Sequence, residues 1–417
     1  MTSLDQSAKV PARPSETSTV GLLSPERLRV IVRCWLVVAP IAYLIDLLRQ
    51  TQDGLTDGIR RAFGDDFINY WSGAYLAFHG RAAEVYDIQA FHAFEQSILG
   101  PHIHFYMYSY PPVLLILTLP LALMPYVPGL GVWLVATWYG FYRALKLTGS
   151  EGILLLSVAT PALFVSAVGG QNGAMTAALL GGGLTLLDRR PVVAGVMLGL
   201  LAYKPHLALM LPFAVIAGRR WVTMGAAAVT VLLLVTASVV LLGADRWSDF
   251  ANTLSVMRAM VLEDGTGGWW RMLSVFVFVR RLGAGLDLAY ALQAAAALAA
   301  AFFVARSWFR DDPAYLRNAL VVVGTCLATP YLQDYDLVMG AFVVVWLRMD
   351  EGRSRIPASW MQAAMATILL APLACAPLGK ATGLAFGPLF IVPVFALLLR
   401  MATEHYRAEV HLLRAAS

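Results

Sequence analysis

Charged residues are scarce in this sequence. Only 14% of its 417 residues are Asp, Glu, Lys or Arg, whereas 59% are hydrophobic. A soluble domain carries about 25% charged residues, so a chain this apolar cannot cover itself with polar surface. The composition excludes a soluble enzyme, a disordered protein and a disulfide-stapled secreted domain. It predicts an all-α integral membrane protein with many membrane-spanning helices.

Motifs for metals and nucleotides are also missing. The cysteines Cys34, Cys326 and Cys375 lie in apolar runs without C-x-x-C spacing, which indicates neither a zinc site nor a redox pair. No G-x-G-x-x-G or G-x-x-x-x-G-K-[ST] pattern occurs at a strand-to-helix turn. We therefore expect no cofactor and no metal. The net charge of +5 fits arginines in cytoplasmic loops better than a nucleic-acid surface.

The chain is interpreted as one membrane domain with two short tails. Residues 1–27 are rich in Ser, Thr and Pro and lack the apolar core of a signal peptide, which predicts a disordered cytoplasmic tail. Apolar runs between residues 28 and 402 predict a bundle of about twelve transmembrane helices, several of them short for a full crossing. Residues 403–417 are expected to form a second cytoplasmic tail.

Basic clusters set the expected orientation. Cytoplasmic loops of membrane proteins carry an excess of Lys and Arg, which predicts that both termini lie inside the cell. The acidic loops 50–110 and 244–270 are then external. The clusters assigned to the cytoplasm are Arg189–Arg190, Arg219–Arg220, Arg306/Arg310/Arg317, Arg348/Arg353/Arg355 and Arg400/Arg407/Arg414.

The external loop 50–110 contains the first candidate site. Asp65 and Asp66 precede a run in which Tyr70, Trp71 and other aromatic residues recur at helical spacing, which predicts amphipathic helices at the membrane surface. Asp66 is interpreted either as the N-cap of an exposed helix or as a general base that faces the mouth of the bundle. Spacing alone does not decide between the two.

Further polar residues interrupt the apolar runs, where ionisable groups are costly and are functional candidates. Lys204 and His206 flank a proline and are interpreted either as interfacial residues that snorkel to water or as a cationic phosphate site. Tyr331, Asp334 and Asp336 form either a polar turn or part of a substrate site.

Two more segments complete the candidate set. Trp269 and Trp270 are followed by Arg271, Arg280 and Arg281, three arginines that contact either anionic lipid headgroups or a bound phosphate. The pair Gln171 and Asn172 forms either an interhelical hydrogen bond or a polar break that contacts substrate. Three consecutive glycines at 181–183 predict close helix packing rather than nucleotide binding.

These segments, in this order, resemble glycosyltransferase family 87, a family of multi-spanning GT-C glycosyltransferases that use polyprenyl-phosphate sugars. The resemblance covers nearly the whole chain after residue 60. The matching pieces are Asp66-Phe67 with Tyr70, Gly80 to Tyr86-Asp87, Tyr110-Pro111-Pro112 through Pro120 to Pro125-Tyr126, Gly170-Gln171, Ala194-Gly195 with Leu198-Gly199, Lys204-Pro205, Gly218-Arg219-Arg220-Trp221, and Thr329-Pro330 to Asp336.

The resemblance implies a GT-C-type bundle and an aspartate that deprotonates the acceptor hydroxyl. By position this aspartate is Asp66, with Asp65 as the second choice. Family members that are α-mannosyltransferases can carry histidines in the segment matching Gln333–Asp336, where this chain has Gln-Asp-Tyr-Asp. A phosphate leaving group needs no general acid, so an inverting displacement requires a single carboxylate base, and cations stabilise the phosphate.

The expected function is therefore transfer of a hexose, with mannose the expected sugar, from a polyprenyl-phosphate donor to a lipid or glycan acceptor. The expected location is the external face of the cell inner (plasma) membrane. Residues expected to hold the donor phosphate are Lys204, His206, Arg271, Arg280 and Arg281. Residues expected to bind the remaining substrate are Tyr70, Trp71, Gln171, Asn172, Trp269, Trp270, Tyr331, Asp334 and Asp336.

Two alternatives remain at this stage. A transporter or flippase of a lipid-linked or anionic solute would use the broken apolar runs as its pathway, but internal repeats would be expected. A non-catalytic membrane scaffold would leave the polar clusters scattered through the bundle.

Overall fold

A computed structural model describes residues 25–266, 268–350 and 355–416. Most of these residues are helical, and the only β-type pairings among them are isolated bridges such as Met272 with Gln333. The α-helices are α1 Pro25–Arg49, α2 Phe67–Phe78, α3 Ile88–Leu99, α4 Pro112–Thr118, α5 Tyr126–Lys146, α6 Ile153–Ala159, α7 Pro161–Val168, α8 Gly173–Leu186, α9 Pro191–Leu200, α10 Leu211–Ala217, α11 Trp221–Leu242, α12 Asp245–Met257, α13 Val275–Arg281, α14 Leu286–Phe309, α15 Ala314–Ala328, α16 Gly340–Met349, α17 Ala358–Thr382 and α18 Gly387–Ala416.

The all-helical membrane class is confirmed, but a bundle of twelve spanning helices is not. Among the described residues, five helices are long and apolar enough to cross a membrane: α1, α11, α14, α17 and α18. Several other apolar runs are cut into short helices that begin at a proline, as at Pro112, Pro161 and Pro191. Proline lacks the N–H that would continue the preceding helix, so one apolar run yields two short elements.

Two of the short helices form the centre of the bundle. Most residues of α8 and nearly all of α15 are buried, whereas α11 exposes large apolar side chains such as Val240 along its length. The glycines at 181–183 lie on α8, and a Cβ on Gly181 would overlap the Phe342 ring. Close helix packing at these glycines is therefore confirmed.

The loop 50–110 departs from the expected surface helices. Almost all of α2 is buried, so it is not an amphipathic surface helix. Its aromatic residues contact two other segments: Trp71 packs edge-on against Tyr126, while Tyr75 stacks on Phe94 of α3. Helix α3 covers α2. The Asp87 carboxylate caps the N-terminus of α3 by accepting the Gln89 and Ala90 N–H groups at 3.0 Å.

One end of the bundle is tied by ion pairs between three loops. Asp188, Arg220, Asp311 and Arg317 form a cluster that joins the ends of α8, α10 and α14 to the start of α15. Helix α8 has 14 residues and is therefore about 21 Å long at 1.5 Å per residue. The polar segments around Asn172, Lys204 and Asp336 lie at its other end.

The structure describes little of the predicted N-terminal tail but most of the predicted C-terminal tail. Most of the proposed N-terminal tail, residues 1–24, lies outside the described residues, and α1 already begins at Pro25. At the C-terminus, α18 continues through the predicted tail to Ala416.

Candidate active site

A cavity of about 550 Å³ lies at the end of the bundle opposite the ion-pair cluster. The start of α2, the segment after α3, the end of α12 and the turn before α16 surround it. Its lining residues are Asp65, Asp66, Asn69, His104, Phe105, Tyr106, Met107, Ser109, Tyr110, Gln171, Met257, Met260, Val261, Thr266, Gly268, Trp270, Arg271, Gln333 and Tyr335. Five of these were predicted from the sequence: Asp65, Asp66, Gln171, Trp270 and Arg271.

The two aspartates stand on a tight turn. Gly64 and Asp65 have φ values of +78° and +48°, a left-handed conformation that is common for glycine and uncommon for other residues. The turn docks on a second turn, where the Asp66 N–H donates to the Gly169 carbonyl oxygen at 3.2 Å. Gly170 has φ +58°, and a Cβ there would overlap the Gly64 carbonyl oxygen, so the two backbones meet closely.

Asp66 does not cap its helix. It occupies the N-cap position of α2, but its side chain accepts no capping hydrogen bond. Its carboxylate instead accepts the Gln171 side-chain N–H and lines the cavity. The structure therefore favours the interpretation as a functional carboxylate over that as an exposed helix cap.

The surroundings of Asp66 adjust its acidity. Burial raises the pKa of Asp66 to about 7, and repulsion from the Asp65 carboxylate contributes to the increase. Arg271 and the hydrogen bond from Gln171 act in the opposite direction. A carboxylate with a pKa near neutrality is matched to general-base catalysis at physiological pH.

Asp65 already has partners. Its Oδ2 pairs with Arg61 at 3.0 Å, and its Oδ1 accepts the Tyr106 hydroxyl at 2.9 Å. Arg61 also binds Asp46 at the end of α1 at 3.0 Å. Asp65 is thus fixed in place beside Asp66, and it contributes to the raised pKa of its neighbour.

A chain of hydrogen bonds runs inward from Gln171. The Tyr70 hydroxyl donates to Gln171 Oε1 at 3.3 Å and lies 3.0 Å from the Tyr110 hydroxyl. Asn172 donates to the same Tyr110 hydroxyl at 3.0 Å, and Asn172 Oδ1 accepts from Lys204 Nζ at 3.0 Å. The chain connects Asp66 to residues from four separate segments.

Lys204 ends this chain rather than lining the cavity. It is 3% exposed, its Nζ lies 2.6 Å from Asp336 Oδ1, and the Tyr335 ring covers it at 4.6 Å. His206 lies on the far side of Pro205, with its ring 6.0 Å from that of Tyr331. The Lys-Pro-His segment is therefore close to the site, but neither Lys204 nor His206 lines the cavity.

Arg271 is the predicted cation that does line the cavity. Its Nε and Nη2 donate to the two carboxylate oxygens of Asp334 at 3.0–3.1 Å, and its guanidinium lies 5.9 Å from the Tyr335 ring centre. Burial lowers the pKa of Arg271, but attraction to Asp334, the hydrogen bonds to it and attraction to Asp66 together raise the pKa by more, so the guanidinium stays charged. The Leu273 N–H bond to Leu332 O at 2.9 Å holds the two segments together.

The remaining predicted residues point elsewhere. The Trp71 indole donates to Met124 O at 2.9 Å, and the Trp269 indole donates to Leu262 O at 3.0 Å. Arg280 and Arg281 lie over the Trp269 ring, at 5.6 Å and 5.3 Å. None of these four lines the cavity.

Several lining residues were missed from the sequence. Asn69 lies one helical turn after Asp66, a spacing that could have identified it. Tyr106 and Tyr110 belong to an extended segment without periodicity, and Met257 and Met260 are apolar residues in a segment whose polar residues gave the only signal. Within the described residues, no group of three or more His, Cys, Asp or Glu side chains is arranged to hold a metal ion.

The bundle and its cavity define a polytopic membrane protein with an acidic, aromatic-walled site at one end. A model of glycosyltransferase family 87 matches residues 108–330, more than half of the chain. The chain therefore belongs to glycosyltransferase family 87 and is a membrane glycosyltransferase. No curated protein and no solved structure gives a significant match. Asp66 and Asp334 lie outside the matched segment.

Proposed function

We propose that this enzyme transfers a hexose, with mannose as the expected sugar, from a polyprenyl-phosphate donor to a lipid or glycan acceptor, with inversion at the anomeric carbon. The observation that carries the proposal is the position of Asp66. This carboxylate has a pKa raised to about 7 and faces a cavity that also contains the Arg271 guanidinium. A base and a cation in one cavity are the two charged groups that such a displacement requires.

In the proposed reaction, Asp66 is the only protein group that gains or loses a proton. Asp66 accepts the proton of the acceptor hydroxyl while the hydroxyl oxygen forms a bond to the anomeric carbon. The bond between that carbon and the donor phosphate oxygen breaks, and the electron pair leaves with the phosphate. A polyprenyl phosphate is a good leaving group, so no second carboxyl is needed to protonate it. Asp66 then loses its proton to water in the cavity.

Arg271 is assigned to the donor phosphate. Its Nε and Nη2 are engaged by Asp334, but a guanidinium carries five N–H donors, so donors remain for a phosphate oxygen. Asp334 holds the planar group in one orientation. Lys204 is assigned a different role. Its side chain is buried and bound to Asp336, so it holds the two segments that carry these residues together and does not contact substrate.

The lipid part of the donor has a matching wall. Met257, Met260, Val261 and Trp270 are apolar residues that line the cavity, and both Met260 and Trp270 are exposed. A prenyl chain that enters along this wall brings its phosphate to Arg271, which adjoins Trp270 in the chain. The opposite wall, with Asp66, Asn69 and Tyr110, is polar and suits the acceptor and the sugar.

The positive-inside rule orients the site toward the outside of the cell inner membrane. Arg189, Arg220 and Arg317 lie at the end of the bundle away from the cavity, and such arginines favour the cytoplasm. Family membership selects an enzyme over the transporter and the scaffold.

Purified enzyme in lipid nanodiscs tests the choice of donor. We expect transfer of labelled mannose from polyprenyl-phosphate mannose to lipid or glycoside acceptors, and no transfer from a nucleotide-diphosphate mannose. Substitution of Arg271 by Gln should raise the KM for the lipid donor about tenfold or more, because the phosphate loses a charged partner. Transfer from the nucleotide sugar at a comparable rate would contradict the proposed donor.

A further inference from the structure

One buried amide in the cavity wall lacks a hydrogen-bond partner. Asn69 is 6% exposed, and its Oδ1 makes no hydrogen bond to any described residue. Leaving a buried carbonyl oxygen unpaired costs free energy, so such atoms are rare and call for an explanation. Of the described residues that have a buried, unpaired side-chain polar atom, Asn69 is the one that lines the cavity.

The position of Asn69 relates it to the base. Asp66 immediately precedes the first residue of α2, and its carbonyl oxygen accepts the Asn69 N–H at 3.1 Å. Residues three apart lie on the same face of a helix with their Cβ atoms about 5–6 Å apart. Both residues line the cavity, so the Asp66 carboxylate and the Asn69 side chain start from neighbouring positions on one wall. Two neighbouring hydroxyl groups of a ligand can reach both.

We propose that Asn69 determines acceptor specificity by hydrogen-bonding a second hydroxyl next to the one that Asp66 deprotonates, so that the acceptor is a vicinal diol such as a sugar ring. This inference rests on the proposed function and adds the class of acceptor to it. A hydroxyl both donates and accepts, so it satisfies the amide whether oxygen or nitrogen faces the cavity. A lipid with a single hydroxyl would leave the amide unpaired and is rejected.

Ser72 provides a matched control. It lies one turn further along α2, is fully buried, and its hydroxyl also lacks a partner among the described residues, but it does not line the cavity. Its replacement by Ala therefore removes an unpaired buried oxygen from the same helix without touching the proposed acceptor site.

Binding without donor separates this inference from catalysis. Full-length protein in nanodiscs is titrated calorimetrically with octyl mannoside and with each of its monodeoxy derivatives. We expect the Asn69→Leu variant to bind octyl mannoside about tenfold more weakly and to be indifferent to one hydroxyl whose loss weakens wild-type binding by the same factor. The Ser72→Ala variant should behave as wild type. The Asn69→Asp variant, which keeps an accepting oxygen and guards against loss of folding, should retain sensitivity to that hydroxyl.

The possible outcomes are distinct. If Asn69→Leu binds the complete set of glycosides as wild type does, or if wild type binds none of them, the role of Asn69 is refuted. If wild type binds the glycosides but transfers sugar from no lipid donor, the proposed function is refuted, and the binding comparison still decides the role of Asn69. Equal transfer to a simple alkanol and to octyl mannoside would also refute the diol.

Discussion

At the scale of single residues, the proposed mechanism depends on how three neighbouring residues change the pKa of Asp66. Burial and the Asp65 carboxylate raise its pKa to about 7, while Arg271 and Gln171 lower it. Asp65 in turn is paired with Arg61 at 3.0 Å. The site thus holds one carboxylate in an ion pair and leaves the other with a pKa near neutrality.

The acidity of Asp66 predicts the pH profile of the enzyme. Only the deprotonated form accepts a proton, so kcat/KM should fall as pH decreases through about 7, with a slope of one on a logarithmic plot. Replacing Asp65 by Asn removes a repulsive charge and should move this acid limb to lower pH. The replacement of Arg271 by Gln should move it to higher pH. An acid limb that stays in place in both variants would show that Asp66 is not the titrating base.

Substitution of Lys204 distinguishes a structural role of this residue from a role in binding the donor phosphate. The Lys204→Met variant leaves Asp336 as an unpaired buried carboxylate, which should lower the free energy of unfolding by about 3–5 kcal/mol. The double variant with Asp336→Asn should recover a large part of that loss. Thermal unfolding in detergent measures both. Normal stability combined with a raised donor KM would instead assign Lys204 to the donor phosphate.

At the scale of elements, the sequence indicated which segments are polar but not how they are buried. The aromatic spacing of α2 correctly predicted a helix, yet the same aromatic residues made it a buried helix beneath α3. Helical periodicity reports apolar faces, but it does not tell whether lipid, solvent or another helix covers them. The prediction of about twelve spans likewise included apolar runs that are short for a full crossing, several of which the structure shows as short helices that begin at a proline.

The contact between the two turns at the site predicts that a larger residue at position 170 lowers the activity. A Gly170→Ala substitution adds a Cβ 2.8 Å from Phe67 Cβ at a residue with φ +58°, so the turn that bears Asp66 must move. We expect a loss of kcat of about 100-fold or more, because small displacements of catalytic groups are costly.

Gly149 is the matched control for this substitution. It has φ +73° but open space around its Cβ position, so Gly149→Ala has the backbone strain without the overlap. It should cost about 1 kcal/mol of stability and leave kcat unchanged. Equal activities of the two variants would show that the close approach of the turns is unimportant.

At the scale of the whole molecule, the order of the polar segments along the chain could be predicted, but their arrangement in space could not. Gln171, Asn172 and Lys204 were singled out because ionisable and amide groups rarely interrupt apolar runs. That Arg271 lines the cavity while Arg280 packs on Trp269 depends on tertiary contacts of a short turn. The spacing of residues along the sequence does not indicate such tertiary contacts.

The proposed orientation predicts which residues face the outside. In a variant with Cys34→Ser, which removes the exposed cysteine, His104→Cys at the cavity rim and Arg189→Cys at the opposite end are compared in intact cells. A membrane-impermeant maleimide should label position 104 and should label position 189 only after the cells are opened. The reverse pattern would place the cavity in the cytoplasm and contradict an external active site.

The most direct test of the central claim is sugar transfer by the Asp66→Asn variant. Asn keeps the shape of the side chain but cannot accept the hydroxyl proton. With polyprenyl-phosphate mannose and a responsive acceptor, kcat should fall by about 10²–10⁴-fold, the range expected for loss of a general base, while thermal unfolding shows a folded protein and donor binding persists. Turnover at the wild-type rate in this folded variant would contradict the assignment of Asp66 as the base.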